Sequence, residues 1–292
     1  MSQSRNAHRA ERPLTARSLV ASTLLGTHPP VLPGRVLVRL GELFGIAEGT
    51  TRVALSRMVA AGELEPEDGR YRLVGAALLA RQAAQERGRV VPQKKWQGQW
   101  VMAVILADRR DAPERAALRT SAMTLGLAEL RQGVWMRPDN LEWDRRLGTA
   151  TGDAYAVVDA QCAWMTVTPT GDGSDLARQL WDLDSWANAA TGLIADMRRT
   201  RLSLDRGGFD AIPRAFVTSA AVLRLFRADP LLPGALLPAS WPGDGLRTTY
   251  RDYDVALRAL LRAFFMPTPD PPSAPGGHAR TRSRPGPRSA GA

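Results

Sequence analysis

The chain has 292 residues, 44% of them hydrophobic, which is longer than one typical domain and enough for two or three units that each bury a core. Lys and Arg outnumber Asp and Glu 39 to 29, and the excess is uneven: residues 1–95 hold 15 basic and 8 acidic side chains, 96–266 hold 20 of each, and 267–292 hold 4 against 1. A neutral middle between basic ends implies that one part meets a polyanion and another part does different work, while three histidines in polar or proline-flanked stretches (His8, His28, His278) and a single cysteine, Cys162, leave poor material for a His-based triad, a zinc cluster or a disulfide.

Residues 1–12 are polar and are expected to be disordered, without the apolar core of a signal peptide. From residue 15 to 25 apolar side chains recur at helical spacing behind Thr15, a natural N-cap, and Gly26 opens the loop THPPVLPG. A second helix over residues 35–44 places Val36, Leu37, Leu40 and Leu43 on one face, and Gly45 closes it. Ile46 and Ala47 make a short turn into a third helix over 48–61, ended by Gly62. In the next stretch, LEPEDGRYRL at 64–73, Asp68-Gly69 is a hairpin signal and Tyr71 and Leu73 alternate with Arg70 and Arg72. Three helices and a hairpin predict a winged helix-turn-helix. A further helix over 75–89 and a basic linker through Lys94 and Lys95 lead into the neutral region.

That region begins WQGQW and continues with an apolar strand at 101–106, a helix at 112–125 and a strand-turn-strand at 127–136. Residues 154–158 and 163–167 read as two more strands, giving a small ferredoxin-like sheet. Beyond Asp175 the pattern is helical, in blocks near 175–200, 210–227 and 244–265, with the prolines and glycines of 229–243 separating the last two. Residues 267–292, rich in Pro, Gly, Ser and Arg, are expected to form a disordered basic tail carrying Arg280, Arg282, Arg284 and Arg288. The fold class is therefore α+β: an N-terminal winged helix-turn-helix, a middle ferredoxin-like domain and a C-terminal helical domain. The longest apolar run, 101–107, is strand-length, so a soluble, cytoplasmic protein is expected.

The third helix carries the most specific chemistry. With ~100° per residue, Thr51, Leu55, Met58 and Val59 fall together on a core face. Thr50, Val53 and Arg57 lie opposite, flanked by Arg52 and Ser56. Such a face offers an Arg for bidentate pairing with guanine, hydroxyls for base edges or phosphates, and an apolar contact for a thymine methyl. Arg57 is the leading base reader. In the wing, Arg70 and Arg72 share a face suited to phosphates or the minor groove, although Glu65, Glu67 and Asp68 oppose that role.

These residues resemble the phenylacetate-degradation repressor (PaaX) family of bacterial transcriptional regulators, nearly end to end. The resemblance is carried by SLVASTLLG (18–26), FGIAEGTTRVALSRM (44–58), WQGQW (96–100), RAALRTSAMTLGLAELRQGVWMRP (115–138) and DPLLPGALLPASWPG (229–243), the last being the most specific. It implies three parts, here 13–92, 93–173 and 174–266, the middle one similar to a small CRISPR-associated nuclease fold. It implies no enzymatic activity and no bound cofactor. It further implies a homodimer on a palindromic double-stranded DNA operator, released by an aromatic acyl-coenzyme A such as phenylacetyl-CoA. Glu63, where the family tends to have Trp, and Val74, where it usually has Thr, depart from the pattern.

Five tryptophans in the neutral region, Trp135, Trp143, Trp164, Trp181 and Trp186, are candidate effector walls, with core packing as the commoner use of such residues. Two other readings compete. Asp108 lies close to where the similar nuclease fold carries its acidic residue, which would make a metal-dependent nuclease, but Arg109 and Arg110 beside it compete for its charge. The other is a non-specific nucleic-acid binder using the basic ends, without operator preference.

Overall fold

The computed structural model describes residues 14–75, 93–106, 110–147 and 149–266. Residues 76–89 of the helix expected at 75–89, both tails and Asp108 lie outside the described residues.

Helix α1 (Ala16–Leu25) starts at Thr15, whose side chain accepts the Ser18 amide at 3.2 Å, as an N-cap should. A short strand β1 (Val31–Pro33) feeds α2 (Gly34–Leu43), and Gly45, at φ +71°, turns the chain into α3 (Glu48–Ala60). Strands β2 (Leu64–Glu67) and β3 (Arg70–Leu73) form the expected hairpin. Asp68 and Gly69 at its tip have φ +47° and +73°, the two left-handed conformations that a tight two-residue hairpin turn requires. Strand β1 adds to β3 as a third, antiparallel strand that sequence reasoning placed in a loop. It has only three residues, one of them proline, so it shows no period of its own. Leu24, Leu32, Leu37, Leu55, Met58, Leu64 and Leu73 from all these elements make one buried core.

The middle region runs β4 (Trp100–Ile105), α4 (Ala112–Thr124), β5 (Ala128–Arg131), β6 (Val134–Pro138), α5 (Ala150–Asp159) and β7 (Cys162–Val167). The sheet is antiparallel in the order β5-β6-β4-β7, which is the ferredoxin-like topology the sequence predicts. Residues 154–158, expected as a strand, are helical. The apolar run AYAVV lacks a decisive period, but the Thr149 side chain caps the segment by accepting the Gly152 amide at 3.0 Å, and Ala154 and Val158 are buried four residues apart on one helical face. Gly152 is needed there, because a Cβ would lie 1.8 Å from the Arg146 carbonyl oxygen. One sheet face packs Ala103, Trp135 and Cys162 against Leu118, Ala122 and Val158 of the two helices. The other packs Trp100, Ala128 and Met136 against Ala177 and Leu180 of α6 (Gly173–Leu180) and against Leu232 and Leu236.

The block expected at 175–200 is two helices, α6 and α7 (Leu183–Asp205). Trp181 is extended between them, and Asp182 caps α7 by accepting the Ser185 amide at 3.0 Å. Helices α7, α8 (Ile212–Arg227) and α9 (Gly243–Phe265) enclose a core around Met197, Ile212, Val222, Leu246 and Tyr253. Leu19 and Leu40 of the N-terminal unit belong to that same core, and Phe44 meets Phe216 edge-on with ring centroids 5.5 Å apart. The Arg39 guanidinium lies 4.2 Å from the Phe264 ring centre and donates to the Phe264 carbonyl. The winged helix is thus docked on the C-terminal bundle by apolar burial. No helix among the described residues is long and apolar enough to cross a membrane.

Candidate nucleic-acid interface

Helix α3 is held from behind. Thr51, Leu55 and Met58 are each at most 2% exposed and Val59 is half-buried, so the predicted core face is the buried one. Gly41 lets α2 approach closely, since a Cβ there would meet Thr51 Oγ1 at 2.5 Å. Thr50, Arg52, Val53, Ser56 and Arg57 are all exposed, and Val53 presents half its surface to solvent. A half-exposed valine between two arginines, outside the apolar clusters of the described residues, is the arrangement a groove-reading helix needs.

The cations on this surface fall into two kinds. Arg52 is paired with Glu48 one turn earlier at 2.6 Å, and Arg72 reaches across the hairpin to Glu67 at 2.6 Å. Arg57 and Arg70 have no carboxylate partner among the described residues. Their charge is therefore available to an outside anion, whereas Arg52 and Arg72 must first exchange an internal one. The acidic wing residues that looked adverse to DNA contact are thus partly consumed in holding Arg72, and Glu65 lies opposite Arg72 in the ladder.

The wing itself is anchored at its base. Leu64 and Leu73 pair across the hairpin, each 2% exposed, beneath α1 and α3. Glu63 is used here in two ways: its carboxylate takes a bidentate contact from Arg17 of α1, and its carbonyl accepts the amides of Val74 at 3.1 Å and Gly75 at 3.3 Å. The two departures from the family pattern are thereby bonded to each other. Arg17 was not among the residues singled out from sequence; nothing in its spacing marks it, because its partner is 46 positions away.

Of the five candidate effector walls, Trp135 and Trp186 are buried core residues, the latter stacked on Trp241 with centroids 4.6 Å apart, and Trp181 stacks on Trp100 at 6.3 Å. Trp143 and Trp164 instead line a pocket at one end of the middle sheet. Cys162 is buried and its thiol is pushed up by burial, an unreactive small apolar residue rather than a nucleophile.

Family comparisons cover most of the chain. Residues 15–77 match the PaaX-like protein model, residues 93–159 the PaaX protein central Cas2-like domain, and residues 181–267 the PaaX-like protein C-terminal domain. Among solved structures, an uncharacterized protein of Mycobacterium tuberculosis, Rv0674, is 41% identical with a TM-score of 0.70, over 87% of this chain and 100% of that one. No curated protein matches the chain. With all three models aligned in order along one polypeptide, the chain belongs to the PaaX family.

Proposed function

We propose that this chain is a sequence-specific DNA-binding transcriptional regulator without enzymatic activity, acting as a homodimer on a palindromic operator through its part spanning residues 13–92. The observation that carries this reading is the outward face of α3, where Arg57 stands exposed without an internal carboxylate among the described residues, between Val53 and a wing that adds Arg70. Family membership supports the same reading. In this arrangement α3 enters the major groove, Arg57 pairs with a guanine, Val53 meets a thymine methyl, and Thr50, Arg52 and Ser56 contact base edges and phosphates. Arg70, with Arg72 once Glu67 has let go, holds the backbone beside it.

Two-fold symmetry in the protein implies two half-sites about one helical turn, or a multiple of it, apart. The regulator is a repressor of a catabolic operon, released when a small molecule, an aromatic acyl-coenzyme A by family resemblance, binds the DNA-incompetent state better than the DNA-bound one. Footprinting on genomic DNA tests the reading at its centre. The wild type protects a palindrome and keeps a large affinity ratio over random DNA at physiological salt, while Arg57→Ala loses discrimination at one position of each half-site, a change of about 1–3 kcal/mol. Normal footprinting by that variant removes Arg57 from the interface, and an operator-to-random ratio near one in the wild type removes the regulator reading itself.

A further inference from the structure

Helix α2 is buried in two cores at once. Leu37 belongs to the core of the winged helix, with Leu24, Leu55 and Met58, while Leu40, three residues on, belongs to the core of the C-terminal bundle, with Met197 and Tyr253. Leu19 of α1 joins the bundle core as well, and Phe44 and Ile46 pack against it from the turn before α3. Phe265, at the end of α9, packs against both cores. Among the described residues α3 itself adds nothing to the bundle core. Its orientation relative to the bundle is therefore inherited from α1 and α2, on which it rests.

Burial of this kind is non-directional, and by itself leaves two apolar surfaces free to turn against each other. Arg39, beside Leu40, supplies direction. Its half-buried guanidinium stacks 4.2 Å from the Phe264 ring centre and donates to the Phe264 carbonyl, so it points to the bundle and not to the reading face. That carbonyl lies in the last turn of α9, where helix carbonyls have no partner further along the chain and the helix dipole favours a cation. Phe264 is itself fixed: it is 3% exposed and meets Phe209 edge-on, with centroids 5.2 Å apart. Arg39 has no carboxylate partner among the described residues. A basic residue of the DNA-reading unit is thus spent on an oriented contact with the end of one helix in another unit.

We propose that Arg39 is a positioning residue: it fixes the angle of the reading helix against the C-terminal bundle, and with it the half-site spacing that the dimer accepts. The inference rests on the regulator reading above and adds a specificity that no base contact carries. With two protomers joined beyond their winged helices, each added base pair between the half-sites turns the second one by about 35° and moves it by about 3.4 Å. A reading unit clamped by an oriented hydrogen bond and a stacked ring cannot follow that turn. One held by apolar burial alone swings to meet it, and accepts a wider range of spacings.

The test titrates the full-length wild type, Arg39→Met and Arg39→Lys against duplexes carrying the footprinted palindrome, unaltered or with about two base pairs or about half a helical turn inserted at its centre. A single half-site and a random duplex complete the set. Methionine keeps an aliphatic reach over the Phe264 ring but donates nothing, whereas lysine keeps a charge and a donor. The wild type should lose about tenfold or more in affinity on the short insertion, Arg39→Met about threefold or less, and Arg39→Lys an amount between them. All three should bind the single half-site within about twofold of one another and with the same salt slope, because Arg39 touches no DNA. Thermal unfolding of both variants verifies the fold. A merely structural role would weaken every duplex alike, the single half-site included. That outcome, an unchanged spacing profile in Arg39→Met, or a wild type indifferent to the insertions overturns the inference and leaves the regulator reading standing. A wild type that binds the unaltered palindrome no better than random DNA removes the regulator reading, and this inference with it.

Discussion

The winged helix and the middle sheet each hold an arginine with no carboxylate partner among the described residues, and the two are placed in opposite surroundings. Arg57 stands in water on the outer face of α3, while Arg137 is 3% exposed at the end of a strand whose five residues are all buried. In water an unpaired guanidinium costs nothing to maintain and waits for a polyanion. In the interior it costs desolvation, and is kept only because five oxygens converge on it and because Gly126, at φ +70°, leaves room: a Cβ there would come within 2.2 Å of Arg137 Nη1. The first arginine is cheap and replaceable in the fold; the second is built into it.

The largest expected effect follows from that contrast. Arg137→Ala leaves the carbonyls of Leu125 and Pro230 short of a donor, with Asn140 still donating to that of Leu231 at 2.8 Å, and opens a void, so chemical denaturation should show a loss of about 3 kcal/mol. Arg57→Ala should change the same measurement by less than about 0.5 kcal/mol. Arg137→Met sharpens the comparison: it fills the volume but donates nothing, and should fall between the two. A methionine variant as stable as the wild type would mean that the buried cation adds nothing to the stability of the junction at 230–231.

How much of this was legible in the sequence depends on the reach of each interaction. The hairpin was readable because Asp68-Gly69 is a two-residue signal for two left-handed conformations, and α3 because its core face repeats within 13 residues. Strand β1 was not, since its three residues become a strand only by pairing with β3 some 40 positions later. Residues 154–158 misled because a short apolar run fits a buried strand as well as a helix, and the deciding cap, Thr149, lies before the run. The pocket was least visible. Trp143 and Trp164 are candidates from sequence, but Tyr155, Arg145 and Arg137 join them only through the register of three strands and the packing of α5. One signal was available: Arg137 interrupts the buried strand VWMRP, where a charge needs partners of its own.

The wing gives a smaller contrast within the basic surface itself. Arg70→Ala should lower the slope of log affinity against log salt by about one unit, as for one lost phosphate contact. Arg72→Ala should lower it less, because Glu67 already neutralises that side chain at 2.6 Å. Glu67→Gln is the sharper variant, since it releases Arg72 and should tighten DNA binding. Equal slopes for the two arginine variants, with no gain from Glu67→Gln, would mean that the internal pair plays no part in setting how the wing meets DNA.

The smallest expected effect lies directly behind the proposed reading face. Thr51 Oγ1 is buried against Gly41 and finds no hydrogen-bond partner among the described residues, an uncompensated desolvation at the centre of the α2–α3 contact. Thr51→Val replaces that hydroxyl with a methyl of similar size and should leave stability unchanged or raise it by up to about 1 kcal/mol. Operator affinity should not move, because the side chain points away from Thr50, Val53 and Arg57. A variant that folds as well but binds the operator more weakly would show that the hydroxyl adjusts the seat of α3 on α2. The boundary between the supporting and reading faces of the helix would then run through Thr51 rather than outside it.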